Sequence, residues 1–420
     1  MPRFSRGFEA RVNYLLILAV GFPIERLLNY LIGSNPIILG QPINVVFTAF
    51  YVTLALIAAT RVRNATTANG ILRVFLVALA CAWIAHLILY RIHGDAFNYT
   101  ALVYLPILLV LGLRVPSPKQ VATAVLAFAW SMAAVLLLAG LLEFSGLRQP
   151  KTQLSAIVQF DEERYFLPLN DLLGIDGRWP GPFGHNGDTA MVGALLIVIG
   201  VGFWSRSSWF LLGVGAVTLT LTNGRASIGA AAAGLVIVGM FSRSQRLTLL
   251  PQWLRIGTGI GVLSLGAVVM VLRPAGLTGR ENIWPAFLEL WWESPWIGVG
   301  GSGFADGNAI TQQFGHAHSL YIEELARSGL IGFIAQFAAL GIGVFIAARA
   351  AGIGYPGPLA VMVAYFVTGV TEPRNNWIEP SATWFLLILM VLAASARLVS
   401  EERNRSTDRE DDSLPSSPPA

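Results

Sequence analysis

Two histidines flank an alanine, His316-Ala317-His318, near the end of a long stretch (Arg273–Ser328) that separates strongly apolar segments. A neutral imidazole titrates near working pH, so a single histidine at the mouth of a cavity suits proton abstraction. The i, i+2 spacing does not bring two histidines face to face on a helix. No third ligand is in sight, so a zinc site is not expected. Spacing alone favours a plain helix start with a passenger histidine. In the same stretch, Thr278-Gly279-Arg280 leads into an apolar face at helical spacing: Ile283, Trp284, Phe287, Leu288 and Trp291. Arg280 therefore stands at a helix start, where free N–H groups and a guanidinium both favour an anion. A lipid phosphate beside a surface-lying helix would satisfy it equally well.

A second arginine, Arg225 in Thr222-Asn-Gly-Arg-Ala-Ser227, lies between two apolar runs. Charge at that depth is costly and faces a cavity or a partner, unless it snorkels to the surface. The Asn-Gly break beside it favours the functional reading. Arg178 and His185 stand in Arg178-Trp-Pro-Gly-Pro-Phe-Gly-His-Asn-Gly187, a turn-rich stretch that runs straight into an apolar segment. Gly298-Val-Gly-Gly-Ser-Gly303 follows no expected strand and has no lysine, so it reads as a tight turn rather than a nucleotide loop.

The elements that must position these residues are membrane spans. Of 420 residues, 55% are hydrophobic and 12% charged, against about 25% charged in an ordinary soluble domain. Spans of ~20 apolar residues are expected at 12–32, 36–59, 72–90, 99–113, 121–142, 189–204, 209–222, 226–241, 256–272, 329–348, 357–371 and 381–398. The expected fold is all-α and polytopic, with about twelve transmembrane helices and a long external loop carrying amphipathic helices. Six regions follow: N-terminal spans (1–142), a first external loop (143–188), further spans (189–272), the main external loop (273–328), C-terminal spans (329–398) and a disordered tail (399–420). Arginine-bearing short loops (Arg61, Arg63 and Arg73; Arg206; Arg243, Arg246 and Arg255; Arg349) alternate with loops nearly free of them. The positive-inside rule then places both termini in the cytoplasm and both long loops outside.

Composition also excludes. The formal charge of +4 is spread between apolar runs, so nucleic acid is not an expected partner. A lone Cys81 rules out a disulfide within the chain. No cleavable signal peptide is expected from the start of the sequence, and no GxxxxGK[ST] loop and no Asp-x-Asp pair in the expected external loops is present. These absences argue against a nucleotide-driven pump and a metal-dependent sugar transferase.

Four blocks, in order, resemble those of the O-antigen ligase and polymerase superfamily of polytopic bacterial membrane proteins. They are GPFGHN (Gly181–Asn186), NGRAS (Asn223–Ser227), GRENIWPAFLELWWESPWIGVGGSGF (Gly279–Phe304) and HAHSLYIEELARSGLIG (His316–Gly332). Ser319 stands where the family pattern has asparagine, and the first block lacks a residue between His185 and Asn186. The resemblance implies glycosyl transfer at the periplasmic face of the bacterial inner membrane, without metal, nucleotide or other cofactor. The implied donor is a glycan on undecaprenyl pyrophosphate. The implied acceptor is lipid A core for a ligase, a growing chain for a polymerase, or a protein hydroxyl for a protein-glycosylating relative; membrane lipids surround the site. By motif position, His318 is the implied base, and Arg225 and Arg280 bind the pyrophosphate. His316, Arg178 and His185 form a second tier. A transporter or flippase of an anionic or lipid-linked substrate is the alternative of another class, since it needs the arginines but no base.

Overall fold

The computed structural model describes residues 14–32, 53, 70–95, 117–147, 179, 181–183, 186–203, 208–222, 224–242, 280–370 and 382–412. The expected spans at 36–59, 99–113 and 256–272 lie outside these residues, as do Arg178 and His185. Among the described residues the structure is helical, with no strand.

The helices are α1 (Tyr14–Ile32), α2 (Gly70–His93), α3 (Pro118–Phe144), α4 (Asn186–Gly202), α5 (Ser208–Thr222), α6 (Arg225–Ser242), α7 (Arg280–Glu293), α8 (Gly300–Asp306), α9 (Ala309–Phe314), α10 (Leu320–Gly352), α11 (Gly357–Gly369) and α12 (Ala382–Asp412). A 3-10 turn covers Gly181–Phe183. Three of the helices (α2, α3 and α10) are each long and apolar enough to cross a membrane; α4, α5, α6 and α11 are shorter apolar helices. At 1.5 Å per residue, α3 with its 27 residues is about 40 Å long, more than the ~30 Å of hydrocarbon. Its start is fixed by a capping box. The Gln120 amide N–H donates to Ser117 Oγ, and the Ser117 amide donates to Gln120 Oε1 at 3.0 Å.

These helices are apolar on both faces. On α2, Leu72, Phe75, Leu79 and Trp83 point inward, while Val74, Val77, Ile84, Ile88 and Ile92 are exposed. An exposed aliphatic stripe of that length marks a lipid-facing surface. At the centre runs α11, every residue of which is buried. It packs against α4, α6, α10 and α12. α1 and α12 close on α3, with Phe385 against Phe22 and Phe128. α4 and α5 approach so closely that a Cβ on Gly215 would strike the Gly193 carbonyl oxygen, the small-residue contact by which membrane helices associate.

Two expectations need correcting. The tail expected to be disordered from 399 is helical to Asp412, as the end of α12. Glu401 and Arg405 pair across one turn there, a spacing that supports an exposed helix. The span expected at 329–348 is part of a longer helix that begins at Leu320 and is broken once, at Gly329 (φ 62°, ψ −167°).

Candidate functional site

The break in α10 organises the layer that α7, α8 and α9 form on it. In an unbroken helix the Leu330 N–H would bond the Ala326 carbonyl. Here Leu330 N–H donates to Pro295 O at 2.9 Å, and Ala326 O accepts from Val299 N–H at 2.9 Å. Ile331 N–H donates to Trp296 O at 3.1 Å. The loop after α7 thus takes over the backbone groups that the break releases, as an apolar surrounding requires. The two chain segments lie almost in contact. A Cβ on Gly329 would fall on the Trp296 carbonyl group, and one on Gly298 (φ 72°) would fall on that of Arg327. The Gly298–Gly303 block is therefore a docking turn, followed by α8.

That turn is also pinned to the end of α2. Asp95 Oδ2 accepts from the Gly301 amide at 2.7 Å, and Oδ1 from the Ser302 amide at 2.8 Å. A carboxylate against the first free N–H groups of α8 is favourable. His93 Nε2 lies 3.0 Å from the Ile297 carbonyl oxygen. Deeper in the bundle, buried His86 on α2 meets Glu324 on α10 at 2.6 Å, while its Nδ1 donates to the Ala82 carbonyl. With Nδ1 committed as donor, Nε2 and the carboxylate share the remaining proton.

α7 carries the layer's apolar face. Ile283, Ala286, Phe287 and Leu290 are buried, whereas Trp284, Leu288 and Trp291 are only partly so. The face is rotated from the sequence expectation because α7 packs on α10 and α9 as well as facing outward. Phe287 meets Phe304 of α8 edge to face at 4.9 Å. One cluster joins Ile283, Phe287, Leu290, Phe304, Ala317 and Ala326. Each of the larger side chains, Ile283, Phe287, Leu290 and Phe304, contributes about 1.5–3 kcal/mol by its burial. Trp292 and Trp296 remain exposed, as headgroup-level anchors would be.

The histidines lie in the turn between α9 and α10. α9 is fixed at its start by Asn308, whose Oδ1 accepts from the Ile310 and Thr311 amides and whose Nδ2 donates to the Ala286 carbonyl. It ends at Gly315 in the left-handed region. His316 and His318 then meet edge to face, ring centres 4.1 Å apart. The helical argument against their facing each other does not apply, because they precede the helix. Both are half-buried, with buried Ala317 between them. His318 has φ 51°, the one positive φ at a non-glycine among the described residues. That conformation costs roughly 1–2 kcal/mol, so something must hold it.

Two residues that sequence reasoning passed over hold it. Buried Glu323 accepts the Ala317 N–H on Oε2 at 2.7 Å and Arg327 Nη2 on Oε1 at 2.6 Å. The guanidinium of Arg327 lies 4.8 Å from the Phe304 ring centre. The i, i+4 Glu-Arg spacing was visible in the sequence; the reach back to Ala317 was not. Ser319, the residue before α10, makes no side-chain cap.

The other sequence-nominated residues are divided. Arg280 is the first residue of α7, one turn before Ile283, which shares the apolar cluster with Ala317. Arg225 is the exposed first residue of α6, in a different packing group with α4 and α11. Beside it, the first-loop fragment is tied down: Trp179 N–H donates to Leu221 O at 3.0 Å, and Trp179 Nε1 donates to buried Glu143, which also accepts from Tyr30. Gly224 sits directly against Ala190 at the start of α4. The described parts of the GPFGHN and NGRAS blocks, Gly181–Phe183 and residues 224–227, therefore share one end of the bundle.

A cleft of about 340 Å³ opens between α7 and α8. Its lining includes Glu289, Glu293 and Asp306. Three carboxylates make that cleft hostile to a pyrophosphate. Among the described residues no cluster of three or more His, Cys, Asp or Glu could hold a metal ion.

Residues 210–337 match the family model described as O-antigen ligase. The match supports the O-antigen ligase and polymerase superfamily that the motifs pointed to. It runs from α5 to the middle of α10, and so contains Arg225, Arg280, His316, His318, Glu323 and Arg327. No curated protein matches the chain. Over residues 210–337 the chain is similar to the O-antigen ligase family, and its apolar helices point to a membrane-embedded protein.

Proposed function

We propose that the chain transfers a glycan from undecaprenyl pyrophosphate to an acceptor hydroxyl, with lipid A core as the acceptor in a ligase. His318 takes the proton of the acceptor hydroxyl. The acceptor oxygen then bonds to the anomeric carbon as the bond from that carbon to the pyrophosphate oxygen breaks, with inversion. Arg280 and Arg225 carry the charge that grows on the leaving pyrophosphate, which bidentate and permanently charged guanidinium groups suit. The reaction needs neither metal nor nucleotide. It takes place at the periplasmic face of the inner membrane, with both termini in the cytoplasm. His316, against the His318 ring, supports the base; Arg178 and His185 are second-tier candidates.

The observation that carries this reading is the turn at His318. An imidazole is held in a costly backbone conformation, half-buried, next to Ala317, which shares an apolar cluster with Ile283 of the first turn of the Arg280 helix. Strain retained at one residue points to use. The test is transfer in proteoliposomes, with purified protein, undecaprenyl-pyrophosphate-linked glycan and lipid A core, in the presence of a chelator. Product is expected. Arg280→Ala and Arg225→Ala should each cut transfer by about tenfold or more, since each removes a charge-assisted contact to the leaving group. Product with a growing glycan or a protein as the sole working acceptor moves the assignment to a polymerase or a protein glycosylase. Movement of the lipid-linked glycan across the bilayer, without product from any acceptor, contradicts the transferase and supports transport.

A further inference from the structure

We infer that Glu323 is the positioning residue for His318: its carboxylate, fixed by Arg327, holds the Ala317 amide and so the left-handed turn that presents the imidazole. The inference rests on the transferase reading above. The geometry is specific. Glu323 is buried on the first turn of α10, and each carboxylate oxygen has a different partner. One partner, the Ala317 N–H, lies in the turn itself. The other, Arg327, is held by its cation–π contact with Phe304 in the same apolar cluster. Glu323 thus couples the turn to the rigid layer of α7 and α8.

The neighbouring carboxylate has a different task. Glu324 faces His86 on α2 and binds helix to helix. Ser319, whose side chain makes no cap, leaves the turn without the side-chain hydrogen bond that usually starts a helix. Glu323 does not replace that cap; it reaches from within α10 to the Ala317 N–H, ahead of the helix. A misplacement of the base by about 1 Å costs on the order of a hundredfold in rate, and a residue acting through geometry alone should change kcat and leave donor KM unaltered.

Three variants separate positioning from bulk structure. Glu323→Ala removes both bonds. Glu323→Gln keeps an oxygen that can accept the Ala317 N–H but loses the charge facing Arg327. Glu323→Asp keeps the charge on a side chain one methylene shorter, which the stronger Arg327 pair draws away from Ala317. Transfer kinetics and thermal melting in detergent are measured for each, alongside His318→Ala. The expected result is a kcat lowered by about a hundredfold in Glu323→Ala and Glu323→Asp at unchanged donor KM, with Glu323→Gln within about tenfold of wild type. If Glu323→Ala does not fold, the Asp and Gln pair carries the comparison. Wild-type kcat in Glu323→Asp, or Glu323→Gln as slow as Glu323→Asp, overturns the inference. His318→Ala distinguishes the two levels. Normal transfer by that variant removes the base itself, whereas loss there with normal transfer by the Glu323 variants removes the positioning role alone.

Discussion

The group of α4, α5, α6 and α11 and the layer of α7 to α9 on α10 are held together in different ways. The first is largely apolar, with α11 buried along its whole length and helices closing through glycine contacts. The second is assembled from polar contacts between distant parts of the chain: Asp95 to Gly301 and Ser302, His86 to Glu324, and the backbone exchange across the break at Gly329. Arg225 belongs to the first and is exposed; the histidines belong to the second, half-buried, with the Ala317 amide between them bound to Glu323. The difference teaches where geometry is being controlled. Apolar packing sets the frame to within the tolerance of its side chains. Directional bonds fix the turn that carries the imidazole.

The contrast can be broken at several points. Its largest expected effect is at the helix-to-helix pair: His86→Ala leaves Glu324 buried without its partner and should destabilise the protein by about 3–5 kcal/mol. Replacing both residues by leucine should recover most of that loss, as thermal melting in detergent would show. Next, Gly329→Ala places a Cβ on the Trp296 carbonyl group and demands a backbone conformation open only to glycine. A loss of about 3 kcal/mol is expected, together with faster hydrogen exchange at Leu330 and Ile331. Asp95→Ala removes the carboxylate from two amides of α8 and should cost about 1–2 kcal/mol, read as the same melting shift. The smallest effect is at Trp292, exposed on the outer layer: Trp292→Ala should leave stability within about 0.5 kcal/mol and instead weaken partition of the layer to lipid, read by quenching with brominated lipids. A large stability loss at Trp292 with none at Asp95 would reverse the account of what holds the layer.

Hydropathy made the frame legible. α2, α3, α5, α6 and α11 fall within a few residues of the expected spans, because a run of apolar residues ended by charge or proline has one favourable arrangement in lipid. α7 was legible too, starting at the nominated Arg280. Its buried face was not, since Ala286 and Leu290 turn inward only because α10 lies there. A helix start after His318 was legible, but its continuity with the following span was not, because Glu324 enters the bundle only through its partner His86 on α2. For the site, sequence pattern nominated His316 and His318 but gave no reason why the turn should be stiff. That reason lies in a positive φ and in a carboxylate folding back, neither of which leaves a periodic trace. The helical continuation to Asp412 was missed because charge was read as disorder, although Glu401 and Arg405 are spaced for a helix.

The most direct measurement is kcat for glycan transfer by His318→Ala in proteoliposomes at saturating donor, with melting in detergent as the control for folding. The account predicts wild-type melting and a loss of at least about a hundredfold in kcat, the low end for removal of a general base. Transfer at the wild-type rate by a variant that melts like wild type would contradict it, and would leave the strained turn at His318 without a catalytic purpose.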